Sequence, residues 1–480
     1  MEIESHQRPH AAVVPLPAQG HINALMHFAQ VLAARGFHIT FLNVEETHRR
    51  MFGQTAPALP NFRFEVVADI CMPEGSSGAN QIGEIFEVLQ KQGPAMEKAL
   101  RRINSEGPPL TCVVSDSFMA CTFVATSNLK LPRVLFWPYC AASAVAQANT
   151  KLLIAQGHIP VKAEEVKNPS KLITCLPGIP PLVPKDLRSF YREENSSNLM
   201  FRVSVEESEI QNKADWVVVN TFEELEGPDS IRALGKDCPA QAVGPVFLLR
   251  EQENGAFPGN GIRTSLWEEE EEACIKWLDG REAASVLYVS FGSLALMSKE
   301  HIRELAWGLE ASGQAFLWVI RPDLVQGDST ALPEGYLHRI RDRGVLVGWA
   351  PQLKVLRHPS VGGFLTHNGW NSTIESISMG VPMIGWPYWS EQFLNCRFAK
   401  DFWKVGLDLE SRADENGLKK ADEIEKAVRS LMQGVEGKEL RKNAAKLKEA
   451  AHKAVMPGGS SSRNIDIFVE HMRNLCQQSQ

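Results

Sequence analysis

The feature that most restricts the fold is a recurrence of short, continuously apolar runs, each bounded by turn residues and separated from the next by a longer helical pattern. AAVVPLP (11–17), FHITFL (37–42), TCVVSD (111–116), PRVLFW (132–137), WVVVNT (216–221), SVLYVSFG (285–292), AFLWVI (315–320) and GVLVGW (344–349) all have this character. A strand that is apolar on both sides has to be covered on both faces, and helices crossing over between parallel neighbours supply that cover. The first unit shows the rhythm most clearly. Ile22, Leu25, Met26, Ala29 and Leu32 follow the first run at helical spacing, and Gly36 closes the helix before FHITFL begins. The result is a βαβ unit, and the chain reads as α/β with parallel sheets.

A length of 480 residues favours two domains. The rhythm breaks between AVGPVFLL (242–249) and SVLYVSFG, in a Gly- and Glu-rich stretch that contains ENGAFPGNG (253–261) and Glu268 to Glu272. The expected division is therefore 1–250, 251–460 and a terminal segment 461–480 that returns to the first domain. The acidic run reads as the solvated start of a helix carrying Ile275, Trp277 and Leu278. MPGGSSSRN (456–464) reads as a flexible joint before an amphipathic helix from Ile465 to Leu475.

The formal net charge of −7 and the lack of a basic stripe argue against nucleic acid as a partner. Nine cysteines without a C-x-x-C pair fit reduced thiols. The polar start MEIESHQRPH lacks the apolar core of an export signal, and the most apolar stretch, 134–150, is short and contains Pro138 and Gln147. A cytoplasmic, monomeric protein without a membrane span, acting on small molecules, is expected.

One stretch carries unusual chemistry. THNGWNSTIES (366–376) follows the apolar run Val361 to Leu365 and opens a helix. A strand, a Gly-containing loop and a helix start place free backbone N–H groups and the positive end of a helix dipole at a sheet edge, where anions bind. Ser372 and Glu375 could instead form a capping box, which needs no ligand. His367 is not required by such a box. Other nucleotide signatures are missing: no G-x-G-x-x-G follows a strand, and the Gly-Lys pairs at 235 and 437 lead into Asp237 and Glu439 rather than Ser or Thr. Neither H-E-x-x-H nor a dense His/Asp cluster marks a catalytic metal.

The 44 residues from Trp349 to Gln392, WAPQLKVLRHPSVGGFLTHNGWNSTIESISMGVPMIGWPYWSEQ, resemble the plant secondary product glycosyltransferase box of the UDP-dependent family 1 glycosyltransferases. VPLPAQGHIN, VVSDSF, LFW and VSFGS extend the resemblance over nearly the whole chain. It implies the GT-B arrangement, two Rossmann-like domains facing a cleft. It also implies UDP-glucose as co-substrate, with neither a further cofactor nor a metal. Trp349 would stack on uracil, with Ala350 and Gln352 beside it; His367, Asn371, Ser372 and Ser293 would hold the diphosphate. Glu375 would accept from the ribose diol, and Trp370, Glu391 and Gln392 would line the sugar. A glutamine at 392 is similar to glucose-using members.

Glycosyl transfer to an alcohol needs a base for the hydroxyl proton. His21 sits in the strand-to-helix turn PLPAQGHIN and Asp116 ends TCVVSD; each could equally be a polar residue at a helix start or a cap. The resemblance implies a His21–Asp116 dyad and inversion to a β-glucoside. The sequence departs from the family pattern at Ala24, at Pro138, where relatives have a hydroxyl touching the sugar, and at Asn368. Phe118, Met119, Tyr139 and Phe190 are expected walls of the acceptor pocket or core residues, and the irregular regions 65–95 and 180–210 are expected to shape it. Flavonoids or other phenols lead as acceptors, followed by terpenoids. A UDP-sugar epimerase or hydrolase, or a silent UDP-sugar binder, are the rival readings.

Overall fold

The computed structural model describes residues 8–478 except 54–55, 58, 68–84, 87, 90, 167, 169, 193–198, 212, 254–264, 268, 294, 322–331 and 415–416. Most of 65–95, part of 180–210, most of the Gly-rich stretch and Glu268 fall outside the described residues.

A first parallel sheet is built from β1 (His10–Val14), β2 (His38–Asn43), β3 (Phe62–Val66), β4 (Cys112–Asp116), β5 (Arg133–Trp137), β6 (Trp216–Val219) and β7 (Ala240–Ala242), in the order β3-β2-β1-β4-β5-β6-β7. A second is built from β8 (Val286–Ser290), β9 (Ala315–Val319), β10 (Gly344–Val347), β11 (Val361–Thr366), β12 (Met383–Gly385) and β13 (Gly406–Asp408), in the order β10-β9-β8-β11-β12-β13. The central strands are buried along their whole length, which is why they read as continuous apolar runs. The sequence reading missed β3, β7, β12 and β13. Three of these have only three residues, and β3 is a mostly half-buried edge strand, FRFEV, interrupted by charges, so neither length nor hydrophobicity marks them.

Both sheets reverse direction at their first strand. Val14 of β1 pairs with Ser115 of β4, and Ser290 of β8 pairs with Thr366 of β11. A crevice opens at the carboxyl ends on either side of such a reversal, because successive crossovers leave in opposite directions. VPLPAQGHIN and VVSDSF lie at the carboxyl ends of the strands at the first of these points, and VSFGS and THNGWNSTIES at those of the second. Pro15 and Pro17 cannot donate to a ladder and end β1, so the strand stops short of the expected 17.

Five helices position the site or tie the two halves together: α1 (Gln19–Ala34), α2 (Ala141–Ala148), α3 (Trp370–Met379), α4 (Val435–Val455) and α5 (Ser460–Gln478). The acidic run opens a helix, Glu271–Asp279, with Cys274 and Leu278 buried. The expected flexible joint at 456–464 is a correction: α5 starts at Ser460, and Ser460, Ser461 and Ser462 are buried. Their hydroxyls supply the reason. Ser460 donates to Glu224 and Ser461 to the Gly244 carbonyl, while Asn464 reaches Glu223 and the Ala242 carbonyl. Phe468 and His471 of α5 pack on Trp216 of β6, so the last helix covers the first sheet. Among the described residues no helix is long and apolar enough to cross a membrane.

Candidate active site

The two carboxyl edges enclose one cavity of about 400 Å³. On the first edge, α1 begins at Gln19 with Ala18 as an uncapped N-terminus, which puts His21 in its first turn with the imidazole facing the cavity. His21 Nδ1 lies 2.7 Å from Asp116 Oδ2, and Asp116 is fully buried at the end of β4. The other carboxylate oxygen accepts from the Phe118 N–H at 3.0 Å. Asp116 therefore uses one oxygen on the His21 ring and the other on the chain that follows β4. The segment it caps is a turn, since the following helix starts at Cys121 rather than near Ser117. A carboxylate accepts only, so Nδ1 carries the ring proton and Nε2 is left with the lone pair.

Nε2 has a partner that the sequence did not disclose. The Tyr139 hydroxyl lies 2.8 Å away, so it donates to that lone pair. Tyr139 follows Pro138 in the turn after β5, and both line the cavity together with Phe118 and Phe190. Met119 takes the core place of the two left open for it. It is 2% exposed and does not line the cavity, because its N–H turns back to the Asp116 carbonyl and carries the side chain into the core. A buried cation, Arg188, ties the remaining walls together: its guanidinium lies 5.1 Å from the Phe118 ring, 5.0 Å from Tyr139 and 5.7 Å from Phe190.

On the second edge, β11 ends at Thr366 and α3 begins at Trp370 with Gly369 as its N-cap and no side-chain cap. This rules out the capping box, which would need Ser372 to stand before the helix rather than inside its first turn. The opening amides of α3 thus face the cavity beside Ser372. His367 lies in the loop, its ring gripped between two glycine backbones. A Cβ on Gly369 would stand 2.5 Å from Nε2, and one on Gly292, whose φ of +70° also favours glycine, 2.7 Å. Burial, helped by the Arg321 charge, pushes the His367 imidazole down to about 4, so the ring is neutral near pH 7. Asn368 is fully buried at φ +58°, a left-handed conformation that asparagine tolerates better than most residues.

Glu375 stands one turn further along α3. Burial raises its carboxyl to about 7 against the opposing hydrogen bond from Gln352, whose amide reaches Glu375 at 2.7 Å and Ser372 at 3.0 Å. Trp349 and Ala350 line the same end of the cavity, and Trp267 stacks on Trp349 at 5.5 Å. Ser293 faces the cavity, while its carbonyl accepts from Arg321 at 2.6 Å. Glu391 and Gln392 lie on the wall, and the Gln392 carbonyl is fixed by the N–H groups of Tyr388 and Trp389.

Two of the expected donor residues also hold the halves together. Asn371 donates to the Gly20 carbonyl at 2.6 Å, and the Trp370 indole N–H donates to the Asn220 carbonyl at 2.7 Å. Every expected site residue except Met119 therefore borders the cavity or, like Asp116, touches one that does. Arg188, Asn220, Trp267 and Arg321 were missed. Nothing local in the sequence marks them, because each acts on a residue distant in the chain. Among the described residues no group of three or more His, Cys, Asp or Glu could hold a metal ion.

Known proteins share this architecture. Residues 268–456 match the family model "UDP-glucoronosyl and UDP-glucosyl transferase", and residues 10–74 match "Glycosyltransferase, N-terminal domain". UDP-glycosyltransferase 85A5 of Arabidopsis thaliana is 39% identical over 98% of this chain and 98% of its own. The 7-deoxyloganetin glucosyltransferase of Catharanthus roseus is 38% identical over 98% and 97%. Among solved structures, Phytolacca americana UGT2 complexed with UDP-2fluoro-glucose and pterostilbene superimposes with a TM-score of 0.80 at 30% identity, covering 97% of this chain and 99% of that one.

Proposed function

The chain belongs to the UDP-dependent glycosyltransferases of the GT-B fold, and from that premise we propose that it transfers glucose from UDP-glucose to a hydroxyl of a small lipophilic acceptor, giving a β-O-glucoside. The observation that carries this reading is the position of His21. Its imidazole lines the cavity, with Nδ1 held by Asp116 at 2.7 Å and Nε2 by the Tyr139 hydroxyl at 2.8 Å. The residues 1–250 form the acceptor half and 251–460 the donor half, with 461–480 bound back to the first.

The chemistry follows from the geometry. The acceptor oxygen attacks the anomeric carbon from the side of the first sheet, while UDP leaves toward the N-terminus of α3. His21 takes the acceptor proton, and Asp116 holds the ring in the required tautomer and stabilises the imidazolium that forms. The charge growing on the diphosphate meets the amides and dipole of α3 with His367, Asn371, Ser372 and Ser293. Trp349 stacks on the uracil, with Ala350 and Gln352 beside it. Glu375 binds the ribose diol, and Trp370, Glu391 and Gln392 line the glucose, so no metal is needed. Pro138 brings no hydroxyl to the place where relatives have one, so backbone or water serves that part of the sugar.

The acceptor wall of Phe118, Tyr139 and Phe190 suits a flat aromatic ring. Phenols such as flavonols are the leading acceptors, supported by the pterostilbene in the Phytolacca complex. Terpenoid alcohols come second, supported by the name of the Catharanthus relative. The enzyme works as a cytoplasmic monomer. Incubation with UDP-glucose and EDTA over a panel of phenolic and terpenoid alcohols, with products analysed by mass spectrometry and NMR, tests the reading: a β-glucoside is expected. Free glucose or an altered nucleotide sugar without any glucoside would favour a hydrolase or epimerase instead.

A further inference from the structure

The contact between Tyr139 and His21 poses a problem for the mechanism. An sp² nitrogen has one lone pair, and at Nε2 that lone pair accepts from the Tyr139 hydroxyl at 2.8 Å. An acceptor alcohol must either displace the phenol or work through it.

Displacement is costly for a geometric reason. A tyrosine oxygen lies on the axis of its own ring, so rotation about χ2 leaves it in place; only a swing about χ1, carrying the whole ring, removes it from Nε2. That ring is held on several sides. The His21 ring meets it edge-on at 5.3 Å, Phe118 edge-on at 5.7 Å and Trp137 at 6.4 Å, and the Arg188 guanidinium lies 5.0 Å over it. Its backbone is fixed from both sides, by the end of β5 at Trp137 and by Cys140, which caps α2 by accepting from the Ser143 N–H. Yet Tyr139 still lines the cavity beside His21, where an acceptor would bind. A phenol oxygen can accept one hydrogen bond while donating another.

We propose that Tyr139 is a catalytic residue that relays the acceptor proton to His21. This deepens, and rests on, the reading of His21 as the base. As the acceptor oxygen bonds to the anomeric carbon, the bond from that carbon to the β-phosphate oxygen breaks and its electron pair leaves on UDP. The acceptor proton passes to the Tyr139 oxygen, and the phenolic proton passes to His21 Nε2. Tyr139 is neutral before and after the step. The nearby Arg188 cation favours the transient negative character of the phenol oxygen, against the burial that otherwise keeps the phenol protonated.

Tyr139→Phe keeps the ring and removes the relay. Single-turnover transfer should slow by about 10²- to 10⁴-fold, with UDP-glucose affinity and Tm unchanged. In mixtures of H2O and D2O the wild-type rate should curve with deuterium fraction, as expected when two protons move together. Equal or faster transfer by the variant, or a linear wild-type dependence, would overturn the relay and show that the phenol steps aside. His21→Ala run in parallel separates the two ideas. If that variant keeps wild-type transfer, the base assignment itself fails; if it is inactive while Tyr139→Phe is active, only the relay fails.

Discussion

The two sheet reversals treat their buried polar groups in opposite ways. At the first, Asp116, His21 and Tyr139 satisfy one another in a chain: Phe118 N–H to Oδ1, Nδ1–H to Oδ2, and phenol O–H to Nε2. At the second, burial drives His367 down to about 4 and Glu375 up to about 7, so each tends toward its neutral form. The difference matches the roles proposed for the two edges. Proton abstraction needs one fixed tautomer whatever acceptor arrives, so the chain provides every partner itself. A nucleotide brings its own hydrogen-bonding groups and charge, so its socket is shaped and desolvated in advance and its pairing is completed by the ligand.

The strongest way to break this contrast is at the first edge. His21→Ala should lower kcat by about 10³-fold or more while UDP-glucose still binds, as measured by turnover and calorimetry. Asp116→Asn should cost about 10²-fold or more by allowing the wrong tautomer, again with donor binding retained. A normal rate in the D116N enzyme would show that the carboxylate serves only its turn.

At the second edge the expected effects are on binding. On the proposed binding mode the ribose diol donates to an ionised Glu375 carboxylate, and burial keeps that group protonated below about 7. UDP-glucose affinity should therefore rise as pH increases through about 7 and level off above it, because deprotonation creates the acceptor. Glu375→Gln should weaken binding by about 10-fold, the loss of roughly one charged hydrogen bond, and flatten the pH dependence. UDP-glucose is the right probe, since UDP itself titrates in this range. A variant that keeps the wild-type pH profile would assign that profile to another group.

The smallest effect sharpens the boundary of the acceptor wall. Met119→Leu conserves volume in the core and should leave acceptor KM within about 2-fold, with a stability cost below about 1.5 kcal/mol. Phe118→Leu, one residue before it but facing the cavity, should change acceptor KM and selectivity by roughly 10-fold or more. Equal kinetic effects from the two would put Met119 back in the pocket.

Much of this was legible in the sequence because it is local. Central strands announced themselves as continuous apolar runs, and the box from 349 to 392 kept its residues at fixed spacing around one strand and one helix. What the sequence left open or misread shares a cause. Met119 and Phe118 are neighbours of similar hydrophobicity, and only the turn at Asp116 decides which faces the cavity. The serines of 460–462 look like a linker by composition, yet they start a helix because partners lie more than 200 positions before them in the chain, at Glu224 and Gly244.

Periodicity and spacing within a few turns of chain were enough to specify an α/β chain with parallel sheets, most of its central strands, and the residue types gathered at their ends. Which side chains meet was settled by packing over long separations. His21 and Asp116 lie 95 positions apart, His21 and Tyr139 lie 118 apart, and Asn371 reaches Gly20 across 351. A hydrogen bond is directional and effective over only about 3 Å, so such pairings exist only once both sheets and the cleft between them have formed.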